Sequence, residues 1–206
     1  MDDPIAALAR FQRMRRVVLF IIISVAIVLL LFCGSDPAYS DVHEIVEAAG
    51  LSLIALAITG RLWSILYIGG RKSREIVDIG PYSLTRNPLY LFSAIGAAGV
   101  GAQTGSVSIG ILFFLGAALA FHFVIRREER YLATQFAEPY RDYLARVPRF
   151  FPRLRGFRDA DEIVVSTRRI YSTFFDGLVF FLAIPAFEAI EWLQATGYLP
   201  VLLRVV

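Results

Sequence analysis

This 206-residue chain is short of lysine, cysteine and histidine. The single cysteine, Cys33, excludes an internal disulfide and any cysteine-based metal site. The two histidines, His43 and His122, are too few and too far apart in sequence to suggest a metal centre, and no metal is expected. Lys72 is the only lysine, so arginine carries almost all the positive charge. That usage fits a GC-rich bacterial genome. No internal repeat or low-complexity tract is present.

Apolar residues are in excess: 57% of the chain is hydrophobic and the mean hydropathy is +0.60. A soluble domain is typically about 45–50% apolar. The excess is gathered into runs such as VVLFIIISVAIVLLLF (Val17–Phe32) and GILFFLGAALAFHFVI (Gly110–Ile125). Crossing the hydrocarbon takes roughly 20 mostly apolar residues, fewer where flanking arginines snorkel. These runs predict an all-α, polytopic membrane helical bundle with about five transmembrane helices and a cytosolic amphipathic arm. The expected spans are 17–32, 45–68, 89–103, 107–125 and 174–193, within a single membrane domain covering 1–206. The first run lacks a small-residue cleavage site and is read as retained. The fifth carries Asp176, Pro185, Glu188 and Glu191, so a re-entrant helix is its alternative.

The net charge is only +3, but twenty of the twenty-one basic residues fall before the first span, within 60–86, or within 126–169. Arginine marks cytoplasmic loops, which puts the N-terminus and both long polar segments, 71–90 and 126–158, in the cytosol. Juxtamembrane placement accounts for these charges without a nucleic-acid partner. The implied setting is a bacterial inner membrane, with lipid as the surrounding partner. Arg61, toward the inner half of span two, is expected to snorkel or to face a protein cavity. Gly96, Gly99 and Gly101 thin span three on one side, which suits close helix packing.

One segment breaks the pattern. DIGPYSLTRNPLY (Asp78–Tyr90) puts two prolines, a glycine and several polar residues directly before an apolar helix. Pro88 holds Asn87 away from the α region and then fits a first helical turn. The helix start offers free N–H groups, so the segment can edge a ligand cavity. It reads equally well as a re-entry loop whose Tyr82 and Tyr90 are interfacial anchors. Further on, Leu132, Phe136, Tyr140, Leu144 and Val147 recur at helical spacing, making an amphipathic arm that Pro139 is expected to break.

The two blocks together, G-P-Y-S-x-x-R-N-P-x-Y and then R-x-E-E-x-x-L-x-x-x-F-x-x-x-Y-x-x-Y-x-x-R-V-P, resemble the isoprenylcysteine carboxyl methyltransferase family and its phospholipid methyltransferase relatives. The resemblance covers about residues 77–152. It implies a small membrane enzyme that uses S-adenosylmethionine, releases S-adenosylhomocysteine, and methylates a lipophilic or lipidated substrate at the cytosolic face. Carried across residue by residue, it implies cofactor contacts from Tyr82, Asn87, Pro88, Leu89, Tyr90 and Glu128, with Val77 lining the same pocket. Asn87 stands where many relatives have His. Ala137 replaces a usual Gly, which argues against a positive φ there. Val124 replaces an arginine that some relatives use toward a prenylcysteine carboxylate; His122 and Arg126 are the nearby substitutes.

Methyl transfer needs alignment and exclusion of water. A carboxylate acceptor would be oriented by Arg126 or Arg146. An amine acceptor would need a base, for which Glu129 and His122 are the candidates. Each has a plainer reading: His122 as a packed polar residue, Arg146 as a lipid-phosphate contact, Glu129 as a partner of Arg126 or Arg130. Competing functions are a phospholipid amine N-methyltransferase, an NADPH-dependent reductase of sterol-reductase type, and a non-enzymatic membrane scaffold. The acceptor and the oligomeric state have no signature in the sequence.

Overall fold

A computed structural model describes residues 31–35, 40–69 and 75–205. Most of span 17–32 and its preceding arginines lie outside the described residues, as do residues 71–74 of the first polar segment. The described elements are almost all helical. Helix α1 (Ser40–Ile68) is followed by the single turn α2 (Pro81–Leu84), then α3 (Pro88–Ala102) and α4 (Val107–Arg146). Helix α5 (Thr167–Leu178) continues through a 3-10 turn, Val179–Leu182, into α6 (Ala183–Ala195). A short strand β1 (Cys33–Ser35) pairs in parallel with β2 (Leu203–Val205).

Among the described residues, three helical segments are long and apolar enough to cross a membrane: Val42–Ile68, Val107–Arg146 and Thr167–Ala195. The outer face of α4 explains why. Leu112, Leu115, Leu119 and Phe123 follow one another at three- and four-residue spacing and are 57–66% exposed. A stripe of that size facing water would be unusual, whereas lipid accommodates it.

The expected third span, 89–103, is occupied by an apolar helix that is short for a full crossing. Helix α3 has 15 residues, about 22 Å at 1.5 Å per residue, against a hydrocarbon core of about 30 Å. It lies between α1 and α4, and the chain at its two ends is protein-covered: Ser83, Thr85, Gln103 and Ser106 are all buried. Its polar ends therefore meet protein rather than lipid, which removes the need for a full-length span. Glycines make this packing close. A Cβ on Gly99 would stand 2.7 Å from the Gly50 carbonyl oxygen. Ser106 caps α4 by accepting a hydrogen bond from the Ile109 N–H at 3.3 Å.

The break expected near Pro139 is present in helix α4. The helix that holds the 107–125 span runs on to Phe136, is interrupted at Ala137, and resumes as a second stretch that ends at Arg146. The irregular residue is Ala137, at φ 46 and ψ −122, rather than Pro139. A proline ring clashes with the carbonyl four residues back and disfavours the α region just before it, so the distortion is displaced upstream. Ala137 thus does adopt the positive φ that its side chain argued against.

The last helical segment begins at Thr167, seven residues before the expected 174–193 span. Pro185 is its third α6 residue, where the missing N–H and ring are tolerated. At its far end Gln194 donates to the Leu31 carbonyl at 3.0 Å, and the Leu202 N–H reaches the Phe32 carbonyl at 2.9 Å. The end of the chain therefore lies beside residues 31–35, at the opposite end of the bundle from the 75–90 loop.

Candidate functional site

The 75–90 loop is fixed by the segment that follows α4. The Arg86 N–H donates to the Pro148 carbonyl at 2.9 Å, the Asn87 amide to the Arg149 carbonyl at 2.8 Å, and the Thr85 hydroxyl to the Phe150 carbonyl at 3.0 Å. Further along, the Arg153 N–H reaches the Leu84 carbonyl at 3.0 Å and the Gly80 N–H reaches the Arg158 carbonyl at 2.7 Å. Asp78 accepts from Arg146 at 3.0 Å and Arg158 at 2.8 Å. Gly80, at φ 56, lies against the Tyr67 ring, where a Cβ would come within 2.4 Å. The backbone polarity of an irregular segment is thus satisfied by a second irregular segment, as burial demands.

Above this strapped loop, between α1, α3, α4 and the α5 region, opens a cavity of about 1000 Å³. Val77, Tyr82, Asn87, Leu89, Tyr90 and Glu128 all border it. Pro88 does not; it is fully buried behind the wall as the first residue of α3. Tyr90 and Phe121 pair across the α3–α4 hairpin with ring centroids 5.0 Å apart. Tyr143 donates to the Tyr82 carbonyl at 2.9 Å and tightens the floor.

Of the four residues considered for acceptor chemistry, Glu129 alone borders the cavity. Its carboxylate is buried and committed: Arg86 lies 3.1 Å from one oxygen and Arg149 2.8 Å from the other. The expected partners Arg126 and Arg130 are displaced because the post-α4 segment turns Arg149 back onto this face. Arg126 lines a smaller hollow of about 520 Å³ with Arg130 and Arg149. Arg146 is half exposed and paired with Asp78. His122 packs edge-on to Phe123 with centroids 5.8 Å apart, and is not among the cavity-lining residues.

Two arginines that the sequence reading left outside the site take that place. Arg61 borders the cavity, donates to the Ser93 hydroxyl, and lies 6.0 Å from the Phe180 ring centroid. Its position in an apolar span was the available signal. Arg86 sat inside the first motif, but its role depended on where residues 147–150 dock.

The polar residues bordering this space test what it can hold. Tyr82 is 4% exposed, and its hydroxyl, Arg61 Nε and Arg86 Nε are buried without a hydrogen-bond partner. Buried polar atoms are seldom left unpaired unless a ligand or water completes them. Burial, with smaller contributions from Tyr143, Glu128 and Tyr90, pushes the Tyr82 phenol well above its usual value, so it remains a neutral donor. A carboxylate (Glu128), an amide (Asn87), a phenol and aromatic walls around one cavity suit a ligand carrying an ammonium group, hydroxyls and a flat ring.

Comparison with known proteins agrees with this geometry. The phospholipid methyltransferase family profile matches residues 45–139. The nickel-cobalt-cadmium resistance protein NccN of Alcaligenes xylosoxydans xylosoxydans is 34% identical over 180 residues, which cover 87% of this chain and 84% of that protein. The chain belongs to the phospholipid methyltransferase family. The cobalt-zinc-cadmium resistance protein CzcN of Cupriavidus metallidurans is 40% identical over 138 residues, 67% of this chain and 63% of that protein. No solved structure matches the chain at a significant level.

Proposed function

We propose that this protein is an S-adenosylmethionine-dependent methyltransferase of the membrane, acting on a lipophilic acceptor that reaches the cavity sideways from the bilayer. The observation that carries this reading is one cavity of about 1000 Å³ bordered together by Glu128, Asn87, Tyr82 and Tyr90. S-adenosylmethionine supplies a methyl carbon already activated by its sulfonium, so the protein's tasks are binding, alignment and exclusion of water. Glu128 is suited to accept from ribose hydroxyls or to pair with the ammonium group, while the Tyr82 hydroxyl supplies a neutral donor. Tyr90 and Phe121 offer aromatic surface for a flat ring.

Arg61 lies within the apolar stretch of α1 and borders the same cavity, which suits an acceptor with an acidic or strongly polar head and an apolar body. It takes the orienting role for which Arg126 and Arg146 were considered, since neither borders the cavity. The arginine distribution assigns the cavity end to the cytosol. The relatives' names concern metal resistance. A membrane methyltransferase would serve such a setting by altering the envelope that ions cross.

Titration calorimetry on the purified chain tests the proposal. S-adenosylmethionine and S-adenosylhomocysteine are expected to bind, and NADPH is not. Glu128→Ala should remove most of that affinity, and Tyr82→Phe should weaken it about 5–10-fold, the worth of one buried hydrogen bond. Unchanged affinity in Glu128→Ala, or preference for NADPH, would sink the assignment.

A further inference from the structure

At the end of the bundle away from the cavity, three side chains from two helices converge. His43 and Glu47 stand one turn apart on α1, and Glu191 reaches them from α6. The His43 Nε2 atom is 3.2 Å from one Glu47 oxygen and 3.2 Å from one Glu191 oxygen. The three donor atoms lie within 4.8 Å of one another, and all three residues are half-buried. Sequence reading set His43 only against His122, and so missed a carboxylate delivered by the last helix.

We infer that His43, Glu47 and Glu191 form a binding site for a divalent transition-metal ion of the zinc or cobalt type. The donor spacing is the first argument. Ligands about 2.0–2.1 Å from a tetrahedral ion stand roughly 3.4 Å from one another, close to the two imidazole–carboxylate separations here. Charge is the second. A neutral imidazole and two carboxylates carry −2, and Glu188 adds a third carboxylate to the surroundings of Glu191. A divalent ion balances both ligating carboxylates at a site partly withdrawn from water. Rigidity is the third. Gly105, at φ 69, lies so close that a Cβ there would be 1.7 Å from His43 Nδ1, so the imidazole is packed against the turn that begins α4. One nitrogen with two oxygens suits borderline ions such as Zn²⁺ or Co²⁺ better than Mg²⁺ or Ca²⁺, which prefer all-oxygen shells. Three protein ligands leave a fourth position for water.

Such an ion would clamp α6 to α1. The same terminal segment carries Thr173 and Phe180 to the cavity wall, so the clamp would hold one side of the cavity from its far end. The site needs no cofactor and stands apart from the methyltransferase reading.

Equilibrium titration of the full chain in detergent, with Zn²⁺ by calorimetry and Co²⁺ by its visible absorption, decides the matter. One ion per chain is expected, undisturbed by excess Mg²⁺ or Ca²⁺. Glu191→Gln and, separately, Glu47→Gln should each lower the affinity by at least about 10–100-fold, the loss that even outer partners of a metal ligand can cause. Monodisperse elution of each variant guards against misfolding, and two variants keep the test open if one fails to fold. Absence of saturable binding, native affinity retained in both variants, or displacement by Mg²⁺ would reduce the cluster to an ion-paired knot and overturn the inference.

Discussion

Glu129 illustrates how a carboxylate beside a cavity can serve the fold instead of the chemistry. With 8% of its surface exposed, it would carry a heavy desolvation cost if it stood alone. Arg86 from the loop and Arg149 from the post-α4 segment offset that cost, and in doing so they join two irregular segments to α4. Arg149 is 41% exposed at its side chain and can rehydrate, while Arg86 at 11% cannot. Glu129→Gln should therefore destabilise the protein by about 2–4 kcal/mol, because a buried guanidinium then faces a neutral amide. A thermal melt in detergent checks the loss. An unchanged midpoint together with lost turnover would return Glu129 to the role of catalytic base. The sequence could name Glu129 but not its partners. The motif fixes spacing along the chain, whereas the pairing depends on residues 147–150 folding back. The grouping of Tyr82, Asn87 and Tyr90 at the cavity was more legible, since they belong to one short stretch whose prolines dictate its shape.

Helix α4 shows the same division between local rules and context. Its apolar stretch, its amphipathic stretch and a break near Pro139 were all visible in the sequence, but the residue that takes the irregular backbone was not. The cost of the break falls on Ala137 at φ 46 and ψ −122. A residue with a Cβ held in such a region is strained by about 1–3 kcal/mol. Glycine is free of that strain but loses about 0.5–1 kcal/mol through greater unfolded-state freedom. Ala137→Gly should thus be net stabilising by about 1 kcal/mol, a rise of roughly 2–4 °C in the melting midpoint for a chain of this size. A lower midpoint would mean that the bend is not held at this residue. Helix α3 falls where the third span was expected, but it is short. Its apolar length suggested a span, but the burial of its flanking turns is a property of its neighbours.

At the scale of the whole molecule, the connections sort the chain into two ends. The 75–90 loop, the lower part of α4 and the 147–159 segment form the cavity end, where hydrogen bonds from Gly80, Arg86 and Asn87 tie them together. Residues 31–35, the start of α1, the end of α6 and residues 202–205 form the other, joined by the β1–β2 pair and the Gln194–Leu31 bond. In the described residues after the loop, arginine crowds the first end, and Arg204 alone belongs to the second. If the cavity end faces the cytosol, as that asymmetry implies, then Ser35 and Arg204 must lie together on the opposite side. Single-cysteine variants in a Cys33→Ser background test this with a membrane-impermeant maleimide on sealed cells. Ser35→Cys and Arg204→Cys should both react from outside, and Arg155→Cys, on an exposed part of the cavity end, should react only after lysis. Labelling of Arg155→Cys in sealed cells would invert the orientation. Labelling of Ser35→Cys without Arg204→Cys would contradict the β1–β2 pairing itself, because paired strands cannot lie on opposite faces of a bilayer about 30 Å thick.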